Sequence, residues 1–108
     1  MKIISIKTIR PKDYPNILYL HVVTDEGIIG LGETFLGVAA VESHIHEVIA
    51  PYILGLDPNK ITLHHELLRG FLGIGGSGAE NRSRSALDIA LWDILGKKSE
   101  KPLIKLLG

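Results

Sequence analysis

A glycine-rich run at residues 73–78, GIGGSG, fits the spacing Gly-x-Gly-x-x-Gly through Gly73, Gly75 and Gly78. In a dinucleotide-binding turn that spacing follows a strand and opens a helix onto a pyrophosphate, with an acidic residue about twenty positions on. Here the preceding residues step at helical spacing, and Glu80 would put negative charge in the first turn of the next helix, where it repels a phosphate. No Gly-Lys-Ser/Thr follows, so the run is not a P-loop. Ser77 and Glu80 stand at capping-box spacing, which accounts for the local sequence without a ligand. The functional reading left is a flexible loop near an active site, where glycine lets backbone approach a ligand closely.

The five histidines raise the question of a metal. His44 and His46 are two apart on an expected helix and point in nearly opposite directions, and the adjacent His64 and His65 also diverge. Neither pair has the i, i+4 spacing of a helical zinc site, so solvated helix faces are expected for all four. His21 lies in an apolar strand and is expected to be a core or interface histidine. Asp88 and Asp93 share a helix but lie about 140° apart around it, too far to act as an acid–base pair. Ion pairs with Arg84 and Lys97, each four residues away, are their expected role. Glu33-Thr34-Phe35 falls where a strand gives way to a helix, and read on its own it is a strand end with Thr34 near a helix cap. No Ser-His-Asp set, paired carboxylates or metal cluster assembles from these residues.

The elements that would position such groups follow from periodicity. Residues 2–9, 17–24 and 28–34 are β-branched and apolar and read as strands. The second has apolar residues on both sides, Ile17, Tyr19 and Val23 against Leu18, Leu20 and Val22, and is expected to be central and covered on both faces. Asp25-Glu26-Gly27 is too short for a parallel crossover, so the strands form an antiparallel meander. Val38, Val41, Ile45, Val48, Ile49 and Tyr52 then step at helical spacing, predicting a helix over residues 38–53 interrupted near Pro51. A second helix is expected over about residues 60–72, from Leu63, Leu67, Leu68, Phe71 and Leu72. The third, residues 83–96, carries Ala86, Leu87, Ala90, Leu91 and Ile94, widened by Ile89 and Leu95, and is expected to be buried on most sides. Gly96 is expected to stop or loosen its end and Pro102 to open a short helix reaching residue 108. Strands first and helices after give an α+β fold, a three-stranded antiparallel β-meander followed by a helical bundle on one face.

Composition narrows the partners. The 108 residues carry twelve basic and twelve acidic side chains with no long run of either sign, which argues against nucleic acid or a membrane surface held by bulk charge. No cysteine is present, so disulfides and thiolate chemistry are excluded. No stretch has signal-peptide or transmembrane length, and the expected location is cytoplasmic.

Residues 83–108, SRSALDIALWDILGKKSEKPLIKLLG, resemble the N-terminal signature of the mandelate racemase and muconate lactonizing enzyme family of the enolase superfamily. The match runs through Ser85-Ala86-Leu87-Asp88, Ala90-Leu91, Asp93-Ile94, Gly96-Lys97, Pro102-Leu103 and Leu106-Leu107-Gly108, with Ser83 standing where the family pattern usually has alanine. The opening MKIISIKT and the segment GIIGLGET agree more loosely. The resemblance implies an enolase N-terminal domain-like cap over residues 1–98, with residues 99–108 starting the linker into a (β/α)₈ barrel that this chain does not contain. It implies Mg²⁺-dependent proton abstraction next to a substrate carboxylate, most often in a sugar-acid dehydratase, with racemase or cycloisomerase as the alternative. The catalytic residues and metal ligands would fall beyond Gly108, leaving this stretch inactive alone. Its partners would be its own barrel, a small carboxylate substrate and further copies in a homo-oligomer. Family caps line the substrate cavity from the loop between the first two strands and from the end of the third, which makes Tyr14, Asn16, Thr34 and Phe35 the candidate substrate contacts. Outside the family, the competing expectation is a free-standing binding or oligomerisation module whose apolar surface is covered by association.

Overall fold

Alternation along the second strand sets the layers. The structure, a computed structural model, describes residues 1–67 and 78–108, without the side chains of His65 and Leu67. The strands β1 (Ile3–Ile9), β2 (Ile17–Thr24) and β3 (Ile29–Phe35) form an antiparallel sheet in the order β1-β2-β3. Leu18, Leu20, Val22 and Thr24 point to one face and are buried. Ile17, Tyr19, His21 and Val23 point to the other and are half-buried or exposed, so β2 is central but covered on one face only. Among the described residues the expectation of two covered faces is not met, because the helices Val38–His44 and Gly78–Ser99 pack on the side of Leu18 and Leu20. His21 accordingly sits on the open face between Lys7 and Leu31, outside the core. The turn is as expected, with Gly27 at φ 80° and the Thr24 hydroxyl donating to the Ile28 carbonyl at 2.8 Å.

Among the described residues six helical segments follow: α1 (Val38–His44), a π-helical turn (Ile45–Ile49), α2 (Ala50–Ile53), α3 (Ile61–Leu67), α4 (Gly78–Ser99) and the one-turn α5 (Leu103–Leu106). Val41, Ile45, Ile49 and Ile53 are all buried at strict four-residue spacing. In an α-helix each such step overshoots a full turn by about 40°, and the stripe would drift off the core. The wider π turn, in which the Ala50 amide reaches back to the Ile45 carbonyl, corrects that drift. It also stands just ahead of Pro51, which has no amide to donate. This is the expected interruption near Pro51, met by a widened turn. At the strand edge, the Thr8 hydroxyl donates to Glu42 at 2.6 Å and lies 2.8 Å from His46 Nε2, which ties this helix to β1.

The second helix is described only over Ile61–Leu67, and its expected extension to residue 72 lies outside the described residues, as do His65's side chain and residues 73–77 of the glycine run. His64 departs from expectation. It is 0 % exposed, with Nε2 donating to the Asp57 carbonyl at 2.8 Å. Helical spacing from buried Ile61 turns it inward, and the carbonyl of the preceding connector meets its ring.

α4 is longer than expected at both ends, starting at Gly78 and passing through Gly96 to Ser99. Gly96 serves close approach rather than termination: a Cβ there would stand 3.1 Å from the Lys101 carbonyl, where the chain doubles back and the Lys101 amide donates to Gly96. The stop is made by Glu100 in the left-handed region at φ 55°. Only one face of α4 is buried, through Ser83, Ala86, Leu87, Ala90, Leu91 and Ile94, while Ile89 is 46 % exposed. Pro102 precedes α5 as its extended cap, and α5 ends at Leu106.

The contact between α4 and β3 is unusually intimate. A Cβ on Gly30 would meet the Ala90 carbonyl oxygen at 2.3 Å, and one on Gly32 the Ala86 carbonyl oxygen at 2.2 Å. Two residues of strand advance about 6.8 Å and four of helix about 6.0 Å, so glycines two apart match alanines four apart. Helix side chains close the outer edge of β3 as well. Asp93 accepts the Leu31 amide at 2.8 Å, Lys97 donates to the Ile29 carbonyl at 2.7 Å, and Asp93 and Lys97 pair at 2.7 Å as expected.

Beyond that edge Lys98 pairs with Glu26, whose other oxygen lies 3.3 Å from the Met1 ammonium. The hydrogen bond from Lys98, then that from the N-terminal ammonium, holds the Glu26 carboxyl below its ordinary 4.5, and Glu26 in turn raises Lys98 above 10.5. A lowered carboxyl stabilises the fold above its unfolded pKa and loses that contribution as pH falls through the folded value. The raised ammonium stabilises below 10.5 and loses its share as pH rises through its folded value. Both groups are exposed, so the effect on stability is small. A carbon-13 titration of Glu26 is expected to show a midpoint below 4.5 that moves back toward it in Lys98→Ala.

Candidate functional site

The end of the sheet opposite Glu26 gathers the loop at residues 10–16 and the corner after β3. In the loop, the Tyr14 amide donates to Pro11 at 3.2 Å and the Ile17 amide to Tyr14 at 3.1 Å, two linked turns that the flanking prolines at 11 and 15 favour. Tyr14 is left 61 % exposed. Ile17 pairs with Phe35 in register, so the loop and the corner leave the sheet side by side. The Leu36 amide then donates to the Asn16 carbonyl at 2.8 Å and joins them.

Of the four candidate contacts, three lie at this end with exposed side chains: Tyr14, Asn16 and Phe35, the last 63 % exposed. Thr34 is placed differently. It pairs with Leu18 on the covered face of the sheet and is 6 % exposed. Phe35, one residue on, faces the open side because strand side chains alternate.

Three residues at this corner escaped the sequence reading. Leu36 and Gly37 are consecutive left-handed residues, at φ 64° and 62°, and Leu36 is 55 % exposed. A non-glycine residue in that region costs about 1–2 kcal/mol. The third is Arg82 of α4, whose Nε donates to the Leu36 carbonyl at 3.1 Å. Arg82 lies one helical turn before Ala86, on the stripe that runs along β3, and that spacing was the available signal.

Phe35 and Leu36 give the corner exposed apolar side chains beside Tyr14 and Asn16, and hydrogen bonds hold both backbone polar groups of Leu36. The corner can cover, shape and dry a cavity, and Phe35 and Leu36 carry no group that could take or give a proton. The displaced pKa values of Glu26 and Lys98 lie at the far end. Among the described residues no group of three or more His, Cys, Asp or Glu side chains could hold a metal ion, so these residues do not fit a magnesium centre. Among them, too, no helix is long and apolar enough to cross a membrane.

Comparison with known proteins gives a consistent result. Residues 3–108 match the profile of the mandelate racemase / muconate lactonizing enzyme N-terminal domain. The whole chain aligns with a D-galactonate dehydratase of Verminephrobacter eiseniae at 39 % identity and a D-mannonate dehydratase of Novosphingobium aromaticivorans at 33 %. It spans only 28 % and 27 % of those two proteins. It also superposes, with a TM-score of 0.96 and 52 % identity, on an enolase of the mandelate racemase subgroup from Agrobacterium tumefaciens, covering all of this chain and 30 % of that one.

Proposed function

The chain belongs to the mandelate racemase / muconate lactonizing enzyme family, as its N-terminal domain, and on that premise we propose that it caps the active site of a sugar-acid dehydratase. The observation that carries the reading is the apolar corner of Phe35 and Leu36, held beside Tyr14 by the bond from the Leu36 amide to the Asn16 carbonyl and the bond from the Arg82 side chain to the Leu36 carbonyl. Such a corner suits a lid that excludes water and grips the substrate while the chemistry is done elsewhere. The names of the relatives, D-galactonate and D-mannonate dehydratase, support the substrate class.

In this reading residues 1–98 are the cap and residues 99–108 lead into a (β/α)₈ barrel, with the base and the Mg²⁺ ligands beyond Gly108. The reaction is loss of water from a sugar acid: the proton next to the carboxylate is removed, the neighbouring hydroxyl leaves as water, and the enol becomes a 2-keto acid. Tyr14, Asn16 and Phe35 contact the substrate, and Thr34 supports the strand beneath them. The enzyme works in the cytoplasm as a homo-oligomer.

The test is a keto-acid assay of the full-length protein with Mg²⁺ on D-galactonate and D-mannonate. Turnover of at least one is expected, together with none by residues 1–108 alone. Turnover by residues 1–108 would overturn the cap reading. Racemisation or cycloisomerisation of another carboxylate without dehydration would replace the dehydratase assignment.

A further inference from the structure

We propose that Arg82 is a positioning residue for substrate binding, acting through the carbonyl of Leu36; this rests on the capping reading above. Leu36 carries a side chain in a backbone region that side chains rarely adopt, and both of its backbone polar groups are held from outside its own segment. The amide is held by Asn16 of the loop between β1 and β2, at 2.8 Å, and the carbonyl by Arg82 of α4, at 3.1 Å. Strained residues persist where surrounding structure over-determines them, and such residues gather at ligand clamps. The fit extends to Gly37, also at positive φ, where a Cβ would stand 3.4 Å from an Arg82 guanidinium nitrogen.

Arg82 is itself held in place. It extends the stripe on which Ala86 and Ala90 lie against Gly32 and Gly30, so its height along β3 is set by a contact with no slack. The next residue, Ser83, is buried with its hydroxyl 3.3 Å from the Val41 carbonyl of α1, so this turn of α4 presents that face to α1. The planar guanidinium carries the donor at Nε, part-way along the side chain; a lysine ammonium offers its charge only at the tip. The geometry thus asks for arginine, and charge alone does not replace it.

The test uses the full-length protein and two readouts. In Arg82→Ala and in Arg82→Lys, exchange of the Leu36 amide hydrogen is expected to speed up by about tenfold or more, because releasing the carbonyl frees the corner. KM for D-galactonate, or for D-mannonate if that is the better substrate, is expected to rise by about tenfold with kcat within about twofold, the pattern of lost binding. In a Leu36→Gly background the same Arg82→Ala change is expected to accelerate exchange at position 36 far less, since glycine holds positive φ unaided. Unchanged Leu36 exchange in both variants would overturn the positioning role, whatever the enzyme turns over. Faster exchange with KM unchanged would overturn the link to substrate. If the unaltered protein dehydrates no sugar acid, the capping proposal fails on that result, and with it the substrate half of this one, while the exchange data alone decide whether Arg82 holds the corner.

Discussion

Gly32→Val is expected to abolish the native packing of this domain. The new Cβ would have to occupy a point 2.2 Å from the Ala86 carbonyl oxygen, which is backbone in the middle of a helix and cannot rotate aside. Relief requires α4 to move away from β3, and that movement would also pull Ala90 off Gly30, Asp93 off the Leu31 amide and Lys97 off the Ile29 carbonyl. Overpacking a core commonly costs 1–3 kcal/mol, and an obstacle of backbone with several dependent contacts belongs at or above the upper end, about 3 kcal/mol or more. Urea unfolding followed by fluorescence of Trp92, the only tryptophan and itself half-buried on α4, measures it. Gly27→Ala is the control. Nothing lies within 4 Å of its Cβ position, and only the positive φ is penalised, at about 1 kcal/mol. Equal midpoints for the two variants would mean that the close approach of α4 to β3 is wrong.

The second large effect comes from removing volume. Leu91 is 0 % exposed and belongs to the cluster formed with Leu18, Leu20 and Ile94. Leu91→Ala is expected to cost about 3 kcal/mol, from lost transfer energy and the cavity left behind, and to lower Tm by roughly 15 °C for a domain of this size. Ile89→Ala, two positions away on the exposed side, is expected to change stability by no more than about 0.5 kcal/mol, because alanine favours the helix and little packing is lost. Calorimetry on the pair separates a helix buried on one face from one buried all round. A comparable loss in both variants would restore the all-round reading.

Much of the fold was legible because period is a local property. The β-branched, apolar run ILYLHVVT and the tight Asp25-Glu26-Gly27 turn specify a meander without any knowledge of what covers it. Which face is covered was not legible, because β2 is apolar on both sides and only the placement of α4 decides between them. His64 misled for a similar reason: a ring beside another histidine reads as solvated until the carbonyl of Asp57 is found against it. The two glycines of GLGET gave no sign of what lies over them, yet they are where the helix backbone stands against the strand. At the site, Tyr14, Asn16, Thr34 and Phe35 were named through the family resemblance, and the chain's own pattern indicated none of them as contacts. The spacing of Arg82 to Ala86 puts it on the packed stripe of its helix, but no local pattern reveals its partner, Leu36, 46 positions away in the chain.

The seam between α4 and β3 also sets the order in which this domain is made. The meander is complete once residue 35 is synthesised, but the groups that close its edge and cover its apolar face arrive much later, Asp93 62 positions after Leu31 and Lys97 68 after Ile29. At a translation rate of about 5–20 residues per second, the gap lasts roughly 3–12 s. For that interval the nascent sheet has Leu18, Leu20 and Val22 uncovered by α4. α4 is therefore the kinetic gatekeeper of this domain, and a ribosome that stalls after the meander has emerged but before α4 has would leave its apolar face for chaperones to hold.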